Sequence, residues 1–350
     1  MYYLKYRPKN ILEIDNTQVK EKVLQLLKSN TFPHAILLAG PKGIGKTSVA
    51  RIIAKSINCL DNSFNKKNND VNPCNKCKNC LMIDKSNSVD VVEIDAASKR
   101  GIEDVRQLIR ETTFFPMTTR YRVFIIDEVH MITQEAFNAF LKTLEEPPEG
   151  VIFILATTNP EKIPATIRSR TVIINFGKAN KNDILKMLQR IIKGENLNVN
   201  EKVLELIVDY SDYSFRDAAK VLEDLVIHNK LDDFQAAQSF LGIVKDDFLK
   251  IIAENNINKT LNWLEEFNQA GGDYKRLIED SLQKLRELLL IKNNIINEKN
   301  HQQYSLSINQ ITILIKNLLE AYRLLKISPI ESIPLEIMII EYYNKIKNKK

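Results

Sequence analysis

The sequence predicts an α/β domain built on a parallel sheet, followed by segments that are helical throughout. Three observations predict it. A glycine-rich loop, GPKGIGKT from Gly40 to Thr47, lies between an apolar strand-like run and a helical pattern. Short apolar runs alternate with helical patterns through the first half, as in parallel strands joined by helices. After about Phe176 the strand signals stop and only helical periodicity remains.

AILLA (Ala35 to Ala39) is the apolar run that feeds the loop, and the helix beyond it carries Val49, Ile52, Ile53 and Ile57 on one face. Further strands are predicted at VDVVEI (Val89 to Ile94), VFII (Val123 to Ile126), VIFILA (Val151 to Ala156) and TVII (Thr171 to Ile174). Before VIFILA comes a helix with Phe137, Phe140, Leu141 and Leu144 on one face. Thr133 is placed to cap it and Pro147-Pro148 to stop it. Helical patterns over 182–193, 200–210 and 214–229 form a small second domain, and two longer ones cover 273–297 and 309–326. The expected domains are 1–177, 178–232 and 233–350. Loops are expected at the Asn/Lys-rich stretch 61–73 and at 292–304, and the tail 344–350 is expected to fray.

A chain of 350 residues can bury more than one core. The net charge of +6 is a weak argument for a nucleic-acid partner, because Lys, Asn and Ile are abundant everywhere. The longest apolar runs fall well short of the roughly 20 residues that span a bilayer. The start, MYYLKYRPKN, lacks the apolar region of a signal peptide. A cytoplasmic location and no membrane association are expected.

The loop has the spacing and context of a P-loop. Its candidate phosphate-binding set is Gly40, Pro41, Lys42, Gly43, Ile44, Gly45, Lys46, Thr47 and the following Ser48. Glycines let backbone N–H groups wrap phosphates, and the helix N-terminus adds positive potential. Lys46 is placed to reach the β- and γ-phosphates of ATP, and the Thr47 hydroxyl to ligate Mg²⁺. Asp127-Glu128 end the VFII strand. Asp127 suits the Mg²⁺ shell, and Glu128 can orient and deprotonate a water.

Cys59, Cys74, Cys77 and Cys80, the four cysteines of the chain, lie between the loop and the acidic pair, the last three spaced C-x2-C-x2-C. In a reducing compartment such a cluster reads as metal ligands rather than disulfides. Four thiolates satisfy tetrahedral Zn²⁺, and the spacing also occurs in iron–sulfur proteins. Arg170 and Arg216 taken alone read as solvated or salt-bridged; the Ser214/Asp217 spacing puts Arg216 in the first turn of a helix. His34 and His130 are expected to pack or hydrogen-bond, and Trp263 to sit in a core. Lys99 and Arg100 are equally suited to face DNA or solvent.

VEIDAAS (Val92 to Ser98), IDEVHM (Ile126 to Met131), FNAFLKTLEEPPE (Phe137 to Glu149), LATTNPEKIPATIRSR (Leu155 to Arg170) and SFRDA (Ser214 to Ala218) follow one another in order. With them the chain resembles the gamma/tau family of bacterial DNA polymerase III, the ATP-driving subunits of the sliding-clamp loader in the AAA+ class. The resemblance is dense over about residues 4 to 230 and a matter of pattern beyond, where DDFQAAQSFLGIV looks like the start of the family's collar domain.

The resemblance implies an AAA+ P-loop domain with a zinc-binding insertion, a small helical lid and an all-α collar. It implies an open ring with other clamp-loader subunits, acting on the sliding clamp and primer-template DNA as an ATPase within the polymerase III holoenzyme. Thr158 then matches the γ-phosphate sensor, Arg170 the finger inserted into a neighbour's ATP, and Arg216 the lid arginine that reaches its own. Tyr6-Arg7-Pro8 matches the segment near the adenine, and Cys59, Cys74, Cys77 and Cys80 match the zinc ligands.

Some positions depart from the family. Thr171 stands where cysteine usually follows the finger arginine, and Tyr213 where glycine precedes SFRDA. IDNTQV replaces a stretch that usually contains GQ, and the Cys59-to-Cys74 gap is longer than usual. Without the tau form's further domains the chain reads as gamma-like. A non-hydrolysing scaffold is disfavoured by the intact Lys46, Thr47, Asp127 and Glu128. Another AAA+ DNA motor, such as a branch-migration helicase, is disfavoured by the cysteines and Arg170.

Overall fold

A computed structural model of the chain describes residues 1–29, 31–62, 64, 70–99, 101–241, 247–269, 271–293, 295 and 304–347. Arg100 lies outside the described residues. They fall into two compact units, 1–232 and 233–350.

In the first unit β1 (Ala35–Ala39), β2 (Val91–Asp95), β3 (Arg122–Asp127), β4 (Val151–Thr157) and β5 (Val172–Asn175) form one parallel sheet in the order β2-β3-β4-β1-β5. Each apolar run read from the sequence lies on one of these strands. β1 and β4 are buried along their whole length, which explains why their sequences are apolar at every position instead of alternating. One face packs Leu37, Phe124, Phe153 and Leu155 against Val105 and Leu108 of helix Ile102–Thr112 and Phe137, Phe140 and Leu144 of helix Gln134–Glu145. The Phe153 ring lies 5.7 Å from Phe124 and 5.0 Å from Phe140. Helix Lys46–Asn58 packs on the sheet through Ile52, Ile53 and Ile57, which are fully buried.

Helices Thr17–Lys28, Lys78–Asp84 and Ile102–Thr112 go beyond the elements read from the sequence. Helix Ile102–Thr112 turns Val105 and Leu108 into the core with Ile102 and Ile109 packed beside them, a one-face apolar stripe. Helices Lys181–Glu195, Glu201–Tyr210 and Phe215–Ile227 complete the unit by packing on one another. Asn180, Asn200 and Ser214 start them by accepting orphan backbone N–H groups.

The second unit consists, among the described residues, of helices Phe234–Phe240, Phe248–Ala253, Ile257–Gln269, Tyr274–Lys292, Ile308–Leu325 and Ile333–Lys347. Its core includes Trp263, which stacks on Phe267 at 5.3 Å and meets the tilted Phe248 ring at 5.1 Å. No helix of the described residues is long and apolar enough to cross a membrane.

The strand expected from Val89 begins at Val91, and Asp90 just before it has a task of its own. Its buried carboxylate accepts N–H groups from Met117 (2.8 Å), Thr118 (2.7 Å) and Thr119 (3.0 Å) and the Thr118 hydroxyl at 2.8 Å. Burial alone would raise its pKa, but these donors outweigh burial and hold it below the ordinary carboxylate range. With the folded value below the unfolded one, the stabilisation is present above about pH 4 and is lost as pH falls through the folded value. Asp90→Asn puts an amide donor among these donors and is expected to cost the first unit about 1–3 kcal/mol at neutral pH. In urea unfolding the gap to wild type should narrow below about pH 4.

Candidate active site

Parallel strands bring all their carboxyl ends to one edge, and β4 lies between β1 and β3. The glycine loop, Thr157-Thr158 and Asp127-Glu128 therefore emerge side by side. Gly40 donates its N–H to the Thr157 carbonyl at 3.1 Å and passes so close to the Phe176 backbone that a Cβ would collide with it. Lys46 is buried, and its Nζ donates to the carbonyls of Gly40 (2.8 Å) and Pro41 (2.7 Å). Burial pulls its pKa down, against the opposing pull of Glu128 and Asp127. Thr47 Oγ1 donates to Asp127 Oδ2 at 2.7 Å, joining the helix start to the end of β3.

Glu128 sits in the left-handed region at φ 48°, a conformation that costs a non-glycine residue about 1–3 kcal/mol. Its N–H donates to Asp127 Oδ1 at 2.9 Å. Its carboxylate accepts the Thr158 hydroxyl at 3.0 Å and the Thr158 N–H at 3.3 Å. The short turn Val129–Met131 folds His130 back, so that Nδ1 lies 3.1 Å from Thr157 Oγ1 and 3.4 Å from Glu128 Oε2. His130 thus hydrogen-bonds, as expected, but beside the acidic pair. His34 contacts the Leu144 carbonyl at 3.0 Å, away from this group.

Next to the loop is a cavity of about 440 Å³ lined by Tyr6, Arg7 and Pro8, the loop residues Lys42 to Ser48, Asp127, Glu128 and Arg216. Arg7 Nε donates to Ser48 Oγ at 2.7 Å. Arg216 docks on the loop through its N–H, 3.2 Å from the Gly43 carbonyl, and its guanidinium lies 5.0 Å from the Tyr3 ring. Gly43, at φ 75°, is doubly constrained, since a Cβ there would also strike the Ser214 hydroxyl. Asp15 and Arg190 wall the cavity and form a two-pronged ion pair at 2.9 Å. Sequence reasoning misses that pair, whose members are 175 residues apart with no local signal. Arg170 does not line this cavity; it bonds the Thr166 carbonyl at 2.7 Å and pairs with Glu145.

The four cysteines gather as well. Their sulfurs all lie within 4.8 Å of one another, with Cys74 and Cys80 4.0 Å apart, and none is disulfide-bonded. A tetrahedral thiolate site with metal–sulfur bonds of about 2.3 Å has sulfur–sulfur edges of about 3.8 Å, so the cluster fits a metal such as Zn²⁺. Cys74 Sγ also accepts the Cys77 N–H at 3.2 Å, a contact that stabilises a thiolate.

Known proteins resemble the chain in a consistent way. A family model described as DNA polymerase III, delta subunit, matches residues 15–180. The DNA polymerase III subunit gamma of Buchnera aphidicola subsp. Schizaphis graminum is 34% identical, over 98% of this chain and 98% of that protein. The chain belongs to the gamma/tau family of DNA polymerase III subunits. The DNA polymerase III subunit tau of Bacillus subtilis is 39% identical over 83% of the gamma/tau chain described here, which spans about half (52%) of that relative. The Holliday junction branch migration motor RuvB of Thermotoga maritima superposes with a TM-score of 0.50 over 84% of the chain and 93% of its own, at 18% identity. That likeness is one of fold alone.

The cluster is expected to bind one Zn²⁺ or Co²⁺ ion. Titration with Co²⁺ should give the strong visible bands of tetrahedral thiolate coordination, and Cys80→Ser should weaken them and the affinity. Weak octahedral bands in the wild type would count against the site.

Proposed function

We propose that this gamma/tau-family chain is an ATP-hydrolysing subunit of the polymerase III clamp loader, which opens the sliding clamp and loads it on primed DNA. The observation that carries it is the convergence of Lys46, Thr47, Asp127, Glu128 and Thr158 on one sheet edge, in a chain alignable along its length with a gamma subunit. On this reading residues 1–177 are the AAA+ motor, 178–232 the lid and 233–350 the collar that joins other loader subunits in a ring.

ATP would lie in the cavity beside Tyr6-Arg7-Pro8, with its phosphates in the loop from Gly40 to Ser48. There Lys46 would exchange its loop carbonyls for phosphate oxygens, a charge-assisted and stronger set of bonds. Thr47 and Asp127, already bonded to each other, would hold Mg²⁺, which neutralises phosphate charge and orients the phosphoryl group. Glu128 acts as the base that takes a proton from the attacking water. Thr158 holds that carboxylate and makes it responsive to the γ-phosphate end of the site. Arg216 reaches the nucleotide from the lid. Arg170, away from its own cavity, acts on the ATP of a neighbouring subunit. Zn²⁺ on Cys59, Cys74, Cys77 and Cys80 is structural, because four thiolates leave no open position. The fold likeness to a branch-migration motor does not compete with this reading, since it carries no residue-level agreement comparable to that with gamma.

ATP turnover by the reconstituted loader is expected to rise when clamp and primer-template DNA are both added, and unstimulated turnover would reject the proposal. Lys46→Ala should abolish nucleotide binding. Glu128→Gln should retain binding and lower kcat by about 10²–10⁴-fold. Arg170→Ala should leave ATP affinity of its own chain unchanged. In the assembled ring it should slow hydrolysis by about 10³-fold or more.

A further inference from the structure

A buried ammonium group lies outside the machinery described above. Lys55, on helix Lys46–Asn58, is 1% exposed. Its Nζ meets three acceptors from three segments: the Lys9 carbonyl at 2.7 Å, Asn75 Oδ1 at 2.8 Å and Asp84 Oδ1 at 2.8 Å. An ammonium has three donors, so each proton is used. A lysine charge is kept in an interior only when it is paired and bonded in this way.

Two of the acceptors belong to the cysteine insertion. Asn75 follows Cys74 and lies in the left-handed region at φ 57°, which asparagine tolerates. Asp84 ends helix Lys78–Asp84, which carries Cys80. The third belongs to the strap beside the nucleotide cavity: Lys9 follows Arg7 and Pro8, and Arg7 bonds Ser48 in the phosphate loop's helix. A second strut runs the same way, from the Ile11 N–H to Asn72 Oδ1 at 3.3 Å.

We propose that Lys55 is a positioning residue that couples metal occupancy of the four cysteines to the fit of the Tyr6-Arg7-Pro8 strap on the nucleotide. Sulfurs gathered on a metal fix Asn75 and Asp84, which hold the ammonium where it anchors the Lys9 carbonyl. Loss of the metal frees the insertion, removes two of the three acceptors and loosens the strap. The inference rests on the nucleotide-binding reading above. It makes the insertion part of the support of the nucleotide site.

The test measures the Kd of a fluorescent ATP analogue with Mg²⁺ for the full chain, zinc-loaded and chelator-stripped. Stripping the wild type is expected to raise Kd about tenfold, within the usual range of coupling between two sites. Lys55→Met should raise it to a similar degree with zinc content unchanged, and stripping this variant should add nothing further. That non-additivity separates coupling from general destabilisation. A Kd unmoved by stripping in the wild type, or moved equally in wild type and Lys55→Met, overturns the proposal. If Lys55→Met does not fold, Asp84→Asn decides: weakened nucleotide binding at full zinc content supports the proposal, and an unchanged Kd overturns it. Zinc-loaded wild type that binds no nucleotide overturns the functional reading as well, so the two failures are distinguishable.

Discussion

The hydrogen bond from Thr47 to Asp127 spans the width of β4 and joins residues 80 positions apart. It exists because β4 separates β1 from β3 in a sheet whose strands all run the same way. Neighbouring parallel strands are about 4.8 Å apart, so the ends of β1 and β3 lie roughly 10 Å from each other. That is a distance two short side chains and the start of a helix can bridge. With the bond in place, Glu128 follows Asp127 into a left-handed turn, and Thr158 at the end of β4 meets its carboxylate. The strained turn is sustained by those bonds and by the sheet beneath it.

The same unit keeps three charged groups away from water that are each matched by bonds. Lys46 is held by loop carbonyls, Lys55 by three acceptors and Asp90 by four donors. An unmatched buried charge would cost several kcal/mol, so these sites fix segment positions more sharply than apolar packing does. Asp90 and Lys55 tie together pieces of chain that no apolar pattern would align: a loop to a strand, and a cysteine insertion to the N-terminal strap. Apolar packing, by contrast, sets the layers. Phe153 between Phe124 and Phe140, and Trp263 between Phe248 and Phe267, organise the cores of the two units separately.

Legibility followed the range of each interaction. The strands, the helix after the loop and the helix capped by Thr133 could be read because their signals are local: apolar runs, one-face spacing and cap residues. Helix Ile102–Thr112 is written in the same kind of local signal, with Ile102, Val105, Leu108 and Ile109 on one face, though it is not among the expected elements, and β2 begins at Val91 instead of Val89. The cysteines could be recognised as a metal-binding group by residue type and spacing, and their sulfurs do come together.

The sequence by itself determined the class of fold, the phosphate loop, the acidic pair, the cysteine cluster and the family these residues resemble. All of these are written in short windows of residue type and order. Only the tertiary structure decided that His130 stands beside Glu128, that Thr158 holds the Glu128 carboxylate and that Arg170 does not line the cavity of its own chain. It also decided that Asp15 meets Arg190 and that Lys55 joins the cysteine insertion to the strap. Those pairings depend on where distant segments lie after the sheet has formed, and a hydrogen bond between such segments carries no trace in the sequence of the partner it will find.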